Sequence, residues 1–269
     1  MKEIKGGITA AKGFKSSSCA AGIKYKDRTD MAMVYSEKEA VCAGTFTTNQ
    51  VKAACVKWDM LVNEKGLAQA IVVNSGIANA CTGREGFAAC ESVAGAVSDE
   101  LKVDSDRVIV ASTGVIGMQL PVDKLVAGVK TMSGTLDDSI EAGTASSKAI
   151  MTTDTVNKEI AVSVEIDGKE VIIGGMCKGS GMIHPNMCTM LAFLGSDVAI
   201  TKELLQEAVS EVVNETFNMI TVDGDTSTND TLLIMANGLA ENATIIDKNE
   251  DYQTFREALF FEELFCPEV

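Results

Sequence analysis

The residues of this chain whose types and spacing could do chemistry are concentrated in the segment 178–191, KGSGMIHPNMCTML. Thr189 follows a glycine-rich stretch there and stands at the head of an apolar run, where a buried nucleophile would lie. A threonine hydroxyl attacks a carbonyl only with a base in hydrogen-bond reach, and cleavage of the chain before the threonine supplies that base as the freed α-amino group. Thr189 is therefore a candidate nucleophile that provides its own base.

Two other readings of this segment compete with a catalytic Thr189. A threonine at the start of a strand most often packs as a β-branched residue, so position alone does not make it catalytic. Cys188 carries a thiol directly beside it, but a side chain before a scissile bond leaves with the other fragment and cannot hold an acyl group beside the new amine. From the residues of this segment alone, a packed and a catalytic Thr189 both stay open.

Apolar periodicity predicts strands and helices that would position this segment. The predicted strands are 69–74, 107–112, 160–166, 171–173 and 190–196. The predicted helices are 93–101, 122–132 and 201–217. Asp167-Gly168 between two of the strands is typical of a hairpin turn. Thr189 then lies where this hairpin passes to the next strand.

Composition indicates a globular protein with no affinity for polyanions. At 269 residues the chain is long enough for one large domain or two closely joined ones. No apolar run approaches the roughly 20 residues of a membrane helix, and the charged start lacks an apolar signal core. A net charge of −15 disfavours nucleic acid and anionic membrane surfaces. We expect a cytoplasmic protein that binds neither.

The eight cysteines predict free thiols rather than disulfides or a metal site. Nothing in the sequence marks export to an oxidising compartment. No pair has the Cys-x-x-Cys spacing, and His184 is the only histidine, so a site of cysteine and histidine ligands would be thinly supplied. We expect no structural metal and no cofactor.

The segment that contains Thr189 is one of six blocks that together resemble a known family. The other blocks are 6–14 (GGITAAKGF), 74–83 (NSGIANACTG), 111–117 (ASTGVIG), 151–155 (MTTDT) and 221–230 (TVDGDTSTND). Their sequences and order resemble the ornithine acetyltransferases, the bifunctional glutamate N-acetyltransferases of arginine biosynthesis, or ArgJ family. The resemblance runs from residue 6 to about residue 260.

The resemblance implies a role for several residues. It implies self-cleavage between Cys188 and Thr189, where the family usually has alanine in place of Cys188. It makes Thr189 the nucleophile, the Thr113-Gly114 pair the oxyanion hole, and Thr152, Lys178 and Thr189 the residues that bind substrate. His184 is read as a loop residue, because the family often has alanine there. Asn74, Asn79 and the segment 223–230 match family blocks, and for these we expect turn and strand-end structure.

The resemblance also implies a fold and a reaction. The fold is a layered α/β architecture of the self-processing, N-terminal-nucleophile-like kind, with two sheets packed between helices. Cleavage would give an α fragment, 1–188, and a β fragment, 189–269, that stay together and associate as two copies of each. The acetyl group of N-acetylornithine would pass through Thr189 to glutamate in a ping-pong cycle, and acetyl-coenzyme A is a further donor for some members.

Two alternatives and one anomaly stay open at this point. A related self-processing aminopeptidase would use the same nucleophile on peptides, and a non-catalytic protein of this fold would bind an amino acid or act as a scaffold. Residues 262–269 depart from the family pattern, and family members run considerably longer. We therefore expect the β fragment to be incomplete at its C-terminus.

Overall fold

The computed structural model describes residues 1–182, 190–220 and 223–265. The strands in these residues are β1 (Lys2–Ile4), β2 (Phe14–Cys19), β3 (Met31–Phe46), β4 (Leu67–Ile77), β5 (Val108–Val115), β6 (Lys158–Ile166), β7 (Lys169–Lys178), β8 (Leu191–Ser196) and β9 (Thr231–Ala236). The α-helices are α1 (Ala54–Lys65), α2 (Gly83–Leu101), α3 (Val122–Ser133), α4 (Ile140–Ala149), α5 (Lys202–Glu215) and α6 (Glu250–Phe265).

Hydrogen bonds join the described strands into one nine-stranded sheet. The order along it is β1-β6-β7-β8-β9-β3-β4-β5, and β2 pairs with β3 off this path. The pairs β4 with β5 and β8 with β9 are parallel. Parallel neighbours need a crossover, and α2 and α5 lie in the two connections.

The long strand β3 folds this sheet into two layers. Its first part pairs with β2 and β4, its register shifts between Tyr35 and Ala40, and its last residues pair with β9. The β2–β5 layer and the β6–β9 layer then face each other across an apolar interior that contains Phe14, Ile71 and Phe193. A Cβ atom on Gly195 would lie 3.0 Å from the Phe14 ring, so the layers are in direct contact.

Helices cover the outer face of each layer. Leu205 and Val209 of α5 and Phe255 of α6 pack on β6–β9, while Val93 of α2 and Val129 of α3 pack on the other layer. Alternate residues of a strand point to opposite faces of the sheet. Because helices cover one face of β4, β8 and β9 and the other sheet layer covers the opposite face, these strands are apolar on both sides. The expected fold of two sheet layers between helices is confirmed, with β3 making the two layers one continuous sheet.

The predicted elements agree with the structure. Each predicted strand and helix is present, although α2 begins ten residues before its predicted start and α5 ends two residues before its predicted end. β6 and β7 form the expected hairpin, with Asp167 and Gly168 both at positive φ in its turn. Residues after 190 contribute β8 and β9, which lie between β7 and β3 in the middle of the sheet.

Candidate active site

A pocket of about 400 Å³ lies where β4, β5 and β7 end. The parallel strands β4 and β5 bring their carboxyl ends to the same edge of the sheet, and the loops that follow them form one wall. The lining residues are Lys24, Tyr25, Arg28, Gly76, Ala78, Thr113, Gly114, Val115, Ile116, Thr152, Thr153, Lys178, Gly181, Met182, Ser227, Thr228 and Asn229. Thr113, Gly114, Thr152 and Lys178, to which the family resemblance gives roles, therefore line the same pocket.

Thr113 and Gly114 occupy the end of β5, where two backbones approach closely. Gly114 has φ +133°, a conformation that side chains other than glycine rarely adopt. A Cβ atom at this position would stand 2.3 Å from the carbonyl carbon of Gly76 on β4. Glycine is therefore required for the contact, and it leaves the Thr113-Gly114 backbone open to the pocket.

Lys178 brings a buried positive charge to the pocket from the end of β7. Its residue is 4% exposed. Burial lowers the pKa of its ammonium group, and the carboxylates of Asp154 and Asp230 offset part of that effect. Within the described residues no carboxylate forms an ion pair with this ammonium. An anionic ligand group would supply the missing partner.

A buried ion pair joins the loop that carries Thr152 to the end of β7. Asp154 accepts hydrogen bonds from the Lys158 ammonium at 3.0 Å and from Gly179 N–H at 2.7 Å, and Lys158 also donates to the Gly179 carbonyl at 2.6 Å. Burial opposes ionisation of Asp154, but these donors outweigh it and hold its pKa below the usual value. The pair brings Thr152 and Lys178 to the same pocket.

Asp230 lies beside the point where the described chain resumes after Met182. Met190 N–H donates to its Oδ1 at 3.0 Å. Burial raises the pKa of this carboxyl to about 8, and its Oδ2 has no hydrogen-bond partner within the described part of the chain. The Asp230 carboxyl group therefore gains and loses its proton near neutral pH, whereas the pKa of Asp154 lies below its usual value.

The predicted nucleophile Thr189 and the predicted cleavage residue Cys188 lie outside the described residues. The chain on their two sides is described. Met182 lines the pocket, with its N–H donating to Asp223 Oδ2 at 2.6 Å. Met190 immediately precedes β8 and is held by Asp230.

The charge of the pocket is opposite to that of the whole chain. Lys24, Arg28 and Lys178 line it, and none of the lining residues that the structure describes is acidic, whereas the chain carries a net charge of −15. Asp30 holds the loop that carries Lys24 and Arg28 by accepting from Ala21 N–H at 2.7 Å and Ile23 N–H at 2.6 Å. The pocket is therefore suited to an anionic ligand.

No group of three or more metal-binding side chains occurs in the part of the chain that the structure describes. The described cysteines, Cys19, Cys42, Cys55, Cys81, Cys90 and Cys177, are free thiols. Burial raises the pKa of Cys55 to about 12, so this thiol stays protonated and unreactive. Among the described helices, none has the length and apolarity needed to cross a membrane.

The family comparison covers nearly the whole chain. The model of the ArgJ family matches residues 15–264. The chain belongs to the ArgJ family. The arginine biosynthesis bifunctional protein ArgJ of Lactococcus lactis is 48% identical over 261 residues, which are 96% of this chain and 64% of that protein. The corresponding protein of Caldanaerobacter subterraneus is 47% identical over 96% of this chain and 64% of its own length. The chain thus spans just under two thirds of the length of these curated relatives.

Solved structures of ArgJ proteins share this architecture. Arginine biosynthesis bifunctional protein ArgJ from Bacillus halodurans matches with a TM-score of 0.64 and 37% identity over 71% of this chain and 97% of that chain. Ornithine acetyltransferase from Mycobacterium tuberculosis, complexed with ornithine, matches with the same score and identity over 71% and 99%. An aminopeptidase of Ochrobactrum anthropi with a variant Ntn hydrolase fold has a TM-score of 0.57 at 10% identity over 99% of this chain and 87% of that chain, which is a likeness of fold alone.

Sequence reasoning missed part of the site in this ArgJ-family chain. Lys24 and Arg28 carry no motif, and their loop reaches the pocket only through the fold. Asp154 and Lys158 had a signal in their i, i+4 spacing, although they lie in a loop and a strand start rather than a helix. Asn229 was expected to be turn or strand-end structure with no assigned role. It lies just before β9, and its side chain is also buried at the pocket wall.

Proposed function

We propose that this chain is an acyltransferase that moves an acetyl group from N-acetyl-L-ornithine to L-glutamate through an acyl-threonine at Thr189. The observation that carries the proposal is the convergence of Thr113, Gly114, Thr152 and Lys178 on one cationic pocket in a chain of the ArgJ family. The ornithine in the M. tuberculosis ornithine acetyltransferase structure supports an amino-acid substrate. We place the reaction in the cytoplasm, as a step of arginine biosynthesis.

Maturation would come first. The Thr189 hydroxyl attacks the Cys188 carbonyl carbon, the C–N bond breaks, and its nitrogen takes the proton. Water then hydrolyses the resulting ester and releases an α fragment, 1–188, and a β fragment, 189–269. Strands β8 and β9 pair with β7 and β3 of the other fragment, so the two fragments would stay together. We propose two copies of each in the assembled enzyme.

The matured site would then run the transfer in two half-reactions. The Thr189 oxygen attacks the acetyl carbonyl while the new α-amine takes its proton, and the negative charge develops beside Thr113-Gly114. The protonated α-amine then gives that proton to the ornithine nitrogen, the C–N bond breaks and ornithine leaves as the amine. The amine of glutamate attacks the acetyl-threonine in the reverse sense. Lys178 would pair with the substrate α-carboxylate and Thr152 would bind beside it. Acetyl-coenzyme A would be an alternative donor, and no cofactor is required.

Two other functions would use the same fold. A self-processing aminopeptidase would cleave peptides at the same nucleophile, and the O. anthropi neighbour supports that reading only through its fold. A non-catalytic amino-acid-binding or scaffold protein would remain uncut. Family membership favours the acetyl transfer over both.

The first experiment is the intact mass of the purified chain beside its Thr189→Ala variant. Self-cleavage would give fragments of roughly 20 and 8–9 kDa, scaled by length from 28.4 kDa, and the variant would stay whole. Addition of N-acetyl-L-ornithine should then increase the mass of the β fragment by one acetyl group. Release of free amino acids from peptides without that acetylation would favour the aminopeptidase. An intact chain that never reacts would contradict both enzymatic proposals.

A further inference from the structure

Asn229 connects the two strand ends that form the oxyanion side of the pocket. It precedes β9 and is 6% exposed. Its Nδ2 donates to the Ala78 carbonyl at 2.6 Å and to the Ser112 carbonyl at 2.8 Å. Ala78 directly follows β4 and Ser112 lies in β5, so one amide group is hydrogen-bonded to both strands near their carboxyl ends.

The orientation of this side chain is fixed by its other contacts. Asn229 Oδ1 accepts from the Thr228 hydroxyl at 2.6 Å, and its backbone N–H donates to Ser227 Oγ at 3.1 Å. Two carbonyl oxygens can be satisfied only by the NH₂ end of an amide, which leaves a single assignment of nitrogen and oxygen. The amide therefore acts as a rigid double donor.

We propose that Asn229 is a positioning residue for the oxyanion hole, an inference that rests on the proposed function. The Ser112 carbonyl and the Thr113 N–H belong to one planar peptide, so a bond to the carbonyl fixes the direction of the N–H. The bond to Ala78 holds the end of β4, against which Gly114 packs at Gly76. Together these two hydrogen bonds set the place of Thr113 and Gly114.

The location of Asn229 in the chain adds a second consequence. Ala78 and Ser112 belong to the proposed α fragment, whereas Asn229 belongs to the proposed β fragment that begins with the nucleophile. The β fragment would therefore supply both the nucleophile, Thr189, and the side chain that positions the oxyanion hole, Asn229. The hole would be correctly formed only while the two fragments remain docked.

The test compares Asn229→Asp with a matched control, Asn237→Asp. Asn237 is equally buried at 3%, lies at the other end of β9, and donates its Nδ2 to the Lys12 carbonyl and to Ser36 Oγ, but it does not line the pocket. Asn229→Ala serves if the aspartate variant fails to fold. The readouts are thermal unfolding, acetylation of Thr189 by N-acetyl-L-ornithine, and amide hydrogen exchange of peptides that cover residues 108–115.

We expect the Asn229 variants to lose roughly ten- to a hundred-fold in acetylation rate, the effect of a displacement near 1 Å in a catalytic group. Amide hydrogen exchange across 108–115 should rise in these variants. Asn237→Asp should lose stability but leave the acetylation rate and the exchange across 108–115 unchanged. Equal effects of the two substitutions would overturn the inference, as would unchanged exchange in Asn229→Asp. A wild-type chain that never acetylates would contradict the proposed function, and the exchange comparison would still decide whether Asn229 holds the peptide.

Discussion

Asp154 and Asp230 are both buried carboxylates close enough to influence Lys178, yet their surroundings differ. Asp154 accepts from Lys158, Gly179 N–H and Thr152 N–H, and its pKa is lowered. Asp230 accepts from Met190 N–H on one oxygen, and burial raises its pKa to about 8. A fully bonded carboxylate fixes the loops that build the pocket. A half-bonded one next to the site can exchange a proton at neutral pH.

Removal of the partner of Asp154 should have the largest effect. Lys158→Met leaves a buried carboxylate without its cation, and we expect a loss of about 3–5 kcal/mol in the free energy of unfolding. Urea denaturation measures the loss. Lys248→Met removes an exposed ion pair with Glu207 at 2.6 Å and should cost less than about 1 kcal/mol. Similar losses in both variants would contradict the assignment of a structural role to the buried pair.

Lys178→Met tests the cation whose pKa both carboxylates influence. The loss of a charge-assisted hydrogen bond of about 1.5–3 kcal/mol should weaken binding of N-acetyl-L-ornithine by roughly ten- to a hundred-fold. The chain should stay folded, because an apolar side chain fits a buried position. Titration calorimetry measures the affinity, and Lys130→Met on the exposed face of α3 is the control. If Lys178→Met bound N-acetyl-L-ornithine as tightly as the wild type, the proposed contact between Lys178 and the substrate α-carboxylate would be wrong.

The pH dependence of stability should distinguish Asp230 from Asp154. The folded-state pKa of Asp230 is raised to about 8, so its contribution is fully present below the unfolded value of 3.8 and is lost as pH rises through 8. The loss is at most about 1.4 kcal/mol per pH unit. Asp230→Asn cannot ionise, so we expect it to gain stability relative to the wild type as pH rises from 5 to 9, roughly the span of that titration.

For Asp154, which is paired with Lys158, we expect the stability to depend on pH in the opposite direction. Asp154 has a lowered pKa, and its contribution is present above the unfolded value and lost as pH falls through the folded one. Chemical denaturation measures both effects, for Asp230→Asn between pH 5 and 9 and for Asp154→Asn as pH falls below the unfolded value of 3.8. An Asp230→Asn curve parallel to that of the wild type would show that Asp230 is ionised in the folded protein.

The smallest effect is expected at the exposed rim of the pocket. Lys24 lines the pocket and Lys26 lies two residues away in the same loop without lining it, and both are exposed. Lys24→Glu should weaken binding of L-glutamate by about two- to five-fold at low salt, and Lys26→Glu should leave it unchanged. Equal effects would indicate a general field of the loop rather than contact with the ligand.

Local pattern was sufficient for most of the secondary structure of this protein. The β-branched runs that became β4 and β5, the 3.6-residue spacing in α5, and the Asp167-Gly168 turn are properties of short segments, and the structure agrees with each. Motif resemblance likewise named Thr113, Gly114, Thr152 and Lys178 before their positions were known. The pocket brings these four residues together.

Features that depend on contacts between residues distant in the sequence could not be predicted from local pattern. The division of β3 between two layers depends on its partners β2, β4 and β9, and no period within its own sixteen residues reveals it. Asn229 contacts carbonyls 151 and 117 residues away, so its local sequence indicates only turn or strand-end structure. Ionisation follows the same rule, because Asp154 and Asp230 are identical side chains whose pKa values are set by burial and by donors that folding brings to them.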